Sequence, residues 1–246
     1  MIGSIVRADN SGLGTLAREF CENGVVKKVI IVPNGVYKTF PERFKEYIIT
    51  REISDADIEW LFDGIDTLLF FETPFRWDII IRARRAGIKT IIMPMHECLP
   101  DPIPYNPDLW ACPSKLDMDL PVSPKKLVTV PVNTNRIRWK ERTTAKVFVH
   151  NAGHGGLNGR NGTAELMEAM KHVKSPIKLI IRSQMNTIKT DDPRIEFRYG
   201  NAENYWQLWG EGDVFIFPEK FNGLSLPLQE AFANGMLVMA TDRYPM

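Results

Sequence analysis

Short apolar runs alternate with amphipathic stretches along almost the whole chain. Ile2–Val6, Lys28–Pro33, Thr67–Phe71, Lys89–Met95, Leu109–Cys112 and Leu127–Val130 are dominated by β-branched and other apolar residues, with little polar alternation. Runs of this kind predict strands buried on both faces. Between them the period lengthens. Thr15–Glu22 places Leu16, Ala17 and Phe20 on one helical face, Asp55–Phe62 and Ile79–Ala86 read as further helices, and Gly87 ends the last. Tyr47–Thr50 is a shorter strand candidate inside the charged, weakly patterned stretch from Asn34 to Asp63. Strands alternating with helices in this order predict a parallel sheet with helices on both faces.

The alternation pauses at Arg136–Thr144, which is polar and basic, and then begins again. Lys146–His150, Lys178–Ile181, Ile195–Tyr199, Val214–Phe217 and Met236–Thr241 read as strands. Ala164–His172 and Glu203–Trp209 read as helices. Thr163 stands where it can cap the first of these, and Trp206 and Trp209 share a face of the second that suits core packing. A last helix begins at Ser225 as N-cap, has Pro227 in its first turn and closes at Asn234-Gly235. The pattern therefore predicts an α/β protein of two domains, 1–135 and 145–246, joined by a hinge at 136–144.

Candidate chemistry sits in the loops after the strands. Gly12-x-Gly14-x-x-Ala17 follows the first strand and begins a helix, as in nucleotide folds; a tight turn packed on glycine is the alternative. Asn151–Thr163, with Gly155 and Gly156, is the most glycine-dense stretch and lies between a strand and a helix N-terminus, where amides can wrap a diphosphate. Arg160 in that loop and Arg182 at a strand end are the nearest cations. A guanidinium there would make bidentate contacts with phosphate; a solvated charge and a strand-end ion pair are the respective alternatives. His96 falls just past the carboxyl end of the 89–95 strand, an edge where ligands collect, or else caps backbone carbonyls. Pro100, Pro102, Pro104 and Pro107 stiffen the loop that follows.

Bulk properties exclude more than they select. A net charge of +1 over 246 residues offers no global attraction to nucleic acid or acidic lipid. Arg82, Arg84, Arg85 and Lys89 could face an anionic acceptor, although such runs are usually solvated helix faces. Three unpaired-looking cysteines, Cys21, Cys98 and Cys112, suit a reducing cytosol, and four scattered histidines suggest no metal site. No apolar run approaches the roughly 20 residues needed to cross a bilayer. No signal peptide precedes the first strand, so the expected location is cytoplasmic.

Residues 213–242 resemble the donor-site signature of the retaining, two-Rossmann-domain (GT-B) glycosyltransferases, group 1 or family 4-like. Gly223-Leu224, Pro227, Glu230-Ala231, Ala233 and Gly235 match that pattern in register. The family's first glutamate falls on Asn222, and the nearest carboxylate is Glu219. Val130–Asn135 is similar to the segment by which the family leaves its first domain. The family's usual lysine in the glycine-loop helix is replaced by Asn161, and its arginine position falls on glycine. The chain ends just after the strand that follows the signature helix, whereas the family continues for several elements, so the resemblance implies a second domain incomplete at its C-terminus.

What the resemblance implies is specific. The chain would move a sugar, with retention, from a UDP- or GDP-sugar to an acceptor that is a glycan, lipid, protein or modified DNA. It would use no other cofactor and no bound metal. Glu230 would take the ribose hydroxyls, Gly223 and Leu224 amides the phosphate or sugar, and Asn222 or Glu219 the hydroxyls of the transferred sugar. His96 would bond that sugar. Gly12 and Gly14 would approach donor phosphates or acceptor, and Gly155, Gly156, Arg160 and Arg182 the diphosphate. A nucleotide-sugar epimerase of the same fold and a non-catalytic nucleotide-sugar or protein-binding domain are the alternatives.

Overall fold

The computed structural model describes residues 1–132, 139–157, 159–184, 189–222 and 224–243. The chain forms two compact units, Met1–Pro131 and the residues from Val132 onward.

The first unit follows the order β1 (Ile2–Val6), α1 (Gly12–Glu22), β2 (Val26–Ile31), β3 (Glu46–Ile49), α2 (Asp55–Phe62), β4 (Thr67–Glu72), α3 (Asp78–Arg85), β5 (Lys89–Pro94), β6 (Leu109–Cys112), α4 (Lys115–Met118) and β7 (Lys125–Leu127). Its seven strands are parallel, in spatial order β3-β2-β1-β4-β5-β6-β7. The two faces of β4 show why its sequence does not alternate. Leu68 and Phe70 pack with Ile58 and Leu61 of α2 and Ile79, Ile80 and Ala83 of α3. Phe71, on the other face, meets Phe20 of α1 edge-to-face at 5.1 Å. Four consecutive buried residues follow from cover on both sides.

Local signals explain the helix starts. Ser11 accepts the Gly14 amide, which starts α1 at Gly12, three residues before the pattern predicts. Ser54 and Asp57 form a reciprocal capping box on α2. Of the basic run, Arg82 pairs with Asp55 and Arg84 donates to the Asn106 carbonyl at 3.0 Å, so these two brace α3. The predicted strand 127–130 lies earlier, at Lys125–Leu127, because Lys125 pairs beside Trp110 in the ladder.

The second unit runs β8 (Val147–Gly153), α5 (Thr163–Met170), β9 (Lys178–Ser183), β10 (Ile195–Tyr199), β11 (Val214–Phe217), α6 (Leu226–Ala233) and β12 (Leu237–Ala240). Its strands are parallel in order β10-β9-β8-β11-β12. One core joins Met170 of α5 to Ala152, Leu179, Ile181 and Ile195. The other joins Leu228 and Ala231 of α6 to Val149, Ile180, Trp209, Phe215 and Phe217. The two helices therefore cover opposite faces. The expected helix Glu203–Trp209 is a single 3-10 turn, Tyr205–Leu208. Trp209 lies beyond it, buried in the α6-side core as its spacing suggested, with its ring edge-on to Phe215 at 5.0 Å.

Of the segment expected as a hinge, 136–138 lie outside the described residues. Arg142 binds the rest to the second unit. Its guanidinium donates to the carbonyls of Gly212 at 2.6 Å and Asn234 at 2.5 Å and to the Asn234 side chain at 2.5 Å. A cation over the last carbonyls of α6 satisfies groups that the helix leaves unpaired and opposes its dipole.

Candidate functional site

Strand order reverses once in each sheet. In the first unit the reversal falls between β1 and β4, and in the second between β8 and β11. At such a point successive helices leave in opposite directions and open a crevice beyond the carboxyl ends of the strands, where open α/β sheets bind ligands.

In the second unit the two loops that leave this reversal are joined. The Lys220 amide donates to the Arg160 carbonyl at 2.8 Å, and Arg160 Nε returns a bond to the Phe221 carbonyl at 3.1 Å with its guanidinium 5.0 Å from the Phe221 ring. Lys220 also pairs with Glu165 in the first turn of α5. Gly162 closes the contact: its φ is +67°, and a Cβ there would lie 2.3 Å from the Pro218 carbonyl oxygen. Only glycine meets both demands. Gly155 lies against the Asn161 side chain, whose amide donates to Ala152 O at 2.6 Å. Asn161, where the resemblance expects a lysine, is thus a buried brace of the glycine loop.

Thr163 does not cap α5. The N-cap is Gly162, and the Thr163 hydroxyl turns inward, donating to Gly156 O at 2.8 Å and lying 2.9 Å from His150 Nε2. His150 Nδ1 lies 3.2 Å from the Ile216 carbonyl of β11. The Thr163 oxygen therefore stands between His150 Nε2 and the Gly156 carbonyl, and the tautomer of the ring sets whether Nε2 or the hydroxyl donates. Burial pushes the His150 pKa down from 6.5 to about 4, which keeps the ring neutral at pH 7. This His150–Thr163–Gly156 chain ties the glycine loop to the centre of the sheet. Its spacing of 13 residues carried no sequence signal.

The signature loop is equally tied. The Asn222 carboxamide donates to Glu219, and its oxygen accepts the Leu224 amide at 3.0 Å. Asn222 and Glu219 therefore form one polar unit, and the Leu224 amide expected to face a ligand is held within the loop. Gly223 lies outside the described residues. Glu230, in the second turn of α6, is 3% exposed and accepts the Tyr205 hydroxyl at 2.5 Å. Tyr205 was not foreseen, because only the folded sheet brings the turn after β10 to α6. Ser225 makes no side-chain cap bond to α6; its Oγ is buried without a hydrogen-bond partner.

Arg182 leans on Gln207 O at 2.7 Å and Glu211 at 3.6 Å, the arrangement of a strand-end ion pair. Burial, and then Arg198, lower its pKa, and its Nε makes no hydrogen bond. Asn151, its register partner at the end of β8, likewise has a buried Oδ1 without a hydrogen-bond partner. In the first unit His96 is exposed in a 3-10 turn just after β5. Gly14 is packed so closely on Asp9 that a Cβ would lie 2.4 Å from its carbonyl oxygen, whereas Gly12 has open space. Close packing therefore accounts for Gly14. Among the described residues no three His, Cys, Asp or Glu side chains gather as metal ligands, and no helix is long and apolar enough to cross a membrane. An open groove of about 760 Å³ lies at the opposite, amino-terminal edge of β8–β10, where Lys178 and Arg194 are already paired with Glu196 and Asp192.

No protein-family model matches the chain, and no curated protein matches it in sequence. Solved structures do. Sucrose-phosphate synthase from Thermosynechococcus elongatus is similar with a TM-score of 0.63 at 12% identity, over 97% of this chain and 80% of that one. The glycotransferase of kitacinnamycin gives 0.56 at 13% identity, over 98% and 80%. The spinosyn forosaminyltransferase SpnP gives 0.54 at 15%, over 99% and 80%. At such identities the likeness is one of architecture, and this chain has the fold of two Rossmann-like domains, GT-B, that these glycosyltransferases share.

Proposed function

We propose that the chain is a glycosyltransferase that binds a nucleotide sugar in its second unit and passes the sugar, with retention and without a bound metal, to an acceptor. One observation carries the reading. The glycine loop and the Glu219–Asn222–Leu224 turn issue from the two strands where the sheet order reverses, and Glu230 stands on the helix that the second of them starts. Three buried polar atoms without hydrogen-bond partners support a polar ligand here: Asn151 Oδ1, Arg182 Nε and Ser225 Oγ all belong to residues at strand ends or the start of α6. Such atoms are costly unless water or a ligand serves them.

In this reading Glu230, held in place by Tyr205, takes ribose hydroxyls, and Glu219 with Asn222 takes hydroxyls of the transferred sugar. Arg160 and the amides of the glycine loop, Gly155 and Gly156 included, face the diphosphate as the bond from anomeric carbon to phosphate oxygen breaks. Arg182 assists them. The donor is a UDP- or GDP-sugar, and the reaction is cytoplasmic.

A thermal-shift panel of UDP-, GDP-, ADP- and TDP-sugars tests this. One nucleotide class raises the melting temperature of the wild type, and Glu230→Gln and Tyr205→Phe each weaken that response about tenfold, as loss of a charge-assisted hydrogen bond requires. An undiminished response in Glu230→Gln removes that carboxylate from the site.

A further inference from the structure

The groove at the amino-terminal edge of the second sheet has no part in the transfer chemistry. It crosses the first residues of β8, β9 and β10, and its volume of about 760 Å³ is that of a small-molecule site. Its wall follows from how the chain enters the strands. Pro176 and Pro193 stand just before β9 and β10, and with Val147, Ile177 and Ile195 they give the groove an apolar lining. Proline brings no amide N–H to that surface. Bonds of the sheet ladder hold the edge together: the Lys178 amide donates to the Lys146 carbonyl at 2.9 Å, and the Leu179 amide to the Arg194 carbonyl at 2.8 Å.

Three cations border this lining, and two of them are spent. Arg194 donates to the carbonyls of Val173 at 2.5 Å and Met170 at 2.7 Å, and Asp192 accepts from its Nε at 3.0 Å and its Nη2 at 2.7 Å. It thereby closes the end of α5. Lys178 is paired with Glu196. Lys146 differs. Its backbone amide donates to Asp213 at 3.0 Å, which fixes the start of β8, while its exposed ammonium makes no hydrogen bond or ion pair to a described residue. The groove therefore offers apolar walls with one uncompensated positive charge at the lip.

We propose that this groove binds a small amphipathic monoanion, a carboxylate carried on an aliphatic body, with the carboxylate on Lys146 and the body against Pro176, Ile177, Pro193 and Ile195. An ammonium is a point charge that suits a single carboxylate. A phosphate calls for a free guanidinium fork or several cations, and the Arg194 fork is turned to backbone and Asp192. A second negative charge on the ligand would also meet Glu196 in the lining. A neutral apolar ligand would leave Lys146 without a partner.

Amide chemical-shift mapping of the full chain with octanoate, octanamide, acetate and inorganic phosphate tests this. Octanoate shifts the amides of 146–147, 177–178 and 195–196 in the wild type. Octanamide and acetate each bind about tenfold more weakly or worse, the first for want of charge and the second for want of apolar body. Lys146→Gln weakens octanoate binding about tenfold, as loss of a charge-assisted hydrogen bond requires, and Lys146→Arg restores it to within about threefold. The melting temperature is unchanged in both variants, because the backbone amide and not the ammonium holds Asp213. No octanoate binding in the wild type overturns the proposal, as do equal binding of octanamide, undiminished binding in Lys146→Gln, or phosphate shifting the same amides as strongly. The site is independent of the transferase reading: the nucleotide-sugar response that depends on Glu230 is the same in Lys146→Gln, so failure of the donor site and failure of this one are read separately.

Discussion

At the scale of single residues, His150 shows how a group buried for architecture acquires a pH signature. Folding holds its pKa near 4 while the unfolded chain titrates near 6.5. Between those values the unfolded state binds more protons, so stability rises with pH across the window. The contribution is complete above about pH 6.5 and is lost as pH falls toward 4. Because the ring is 1% exposed, the full difference of about 3 kcal/mol applies as an order of magnitude. Urea denaturation of the wild type at pH 7.0 and pH 5.0 shows this loss, and His150→Gln shows a flatter dependence; equal slopes would detach the effect from this ring. Elsewhere residue identity misleads. Asn161 stands where a phosphate-binding lysine was expected, and its burial against Gly155 turns it into a strut.

At the scale of elements, α6 is closed at its C-terminal end by a group its own sequence does not supply. Its start lacks a serine cap, and its end depends on Arg142, 92 residues before Asn234. Arg142→Ala leaves the carbonyls of Gly212 and Asn234 without that donor and lowers stability by about 2 kcal/mol, measured by chemical denaturation. Amide exchange at 234–237 speeds up in the same variant. No change in either would mean that water replaces the guanidinium at no cost. The strands themselves needed little from tertiary structure. Continuous apolar runs at Thr67–Phe71 and Val214–Phe217 could only be strands covered on both sides, and they are. The 3-10 turn at Tyr205–Leu208 differs from the helix expected there because Trp209 is drawn into the sheet core beyond it, ending the turn early.

At the scale of the molecule, β12 is an edge strand of the second sheet among the described residues. Leu237 and Met239 of β12 are 61% and 52% exposed, with Phe232 of α6 at 61% nearby. An apolar edge strand with unpaired backbone groups invites association. Leu237→Lys with Met239→Lys should raise solubility at high concentration while moving the melting temperature little; light scattering alongside melting curves decides it. By itself the sequence determined the two sheets and the parallel run of their strands. Burial on both faces and glycine before a helix are local properties, written in consecutive residues. Which residues meet across the loops was decided only by the tertiary structure: Tyr205 with Glu230, His150 with Thr163, and Arg7 with Phe75. Such pairings come from the reversal of strand order, which brings together ends of strands far apart in the chain and leaves no period in the sequence to mark them.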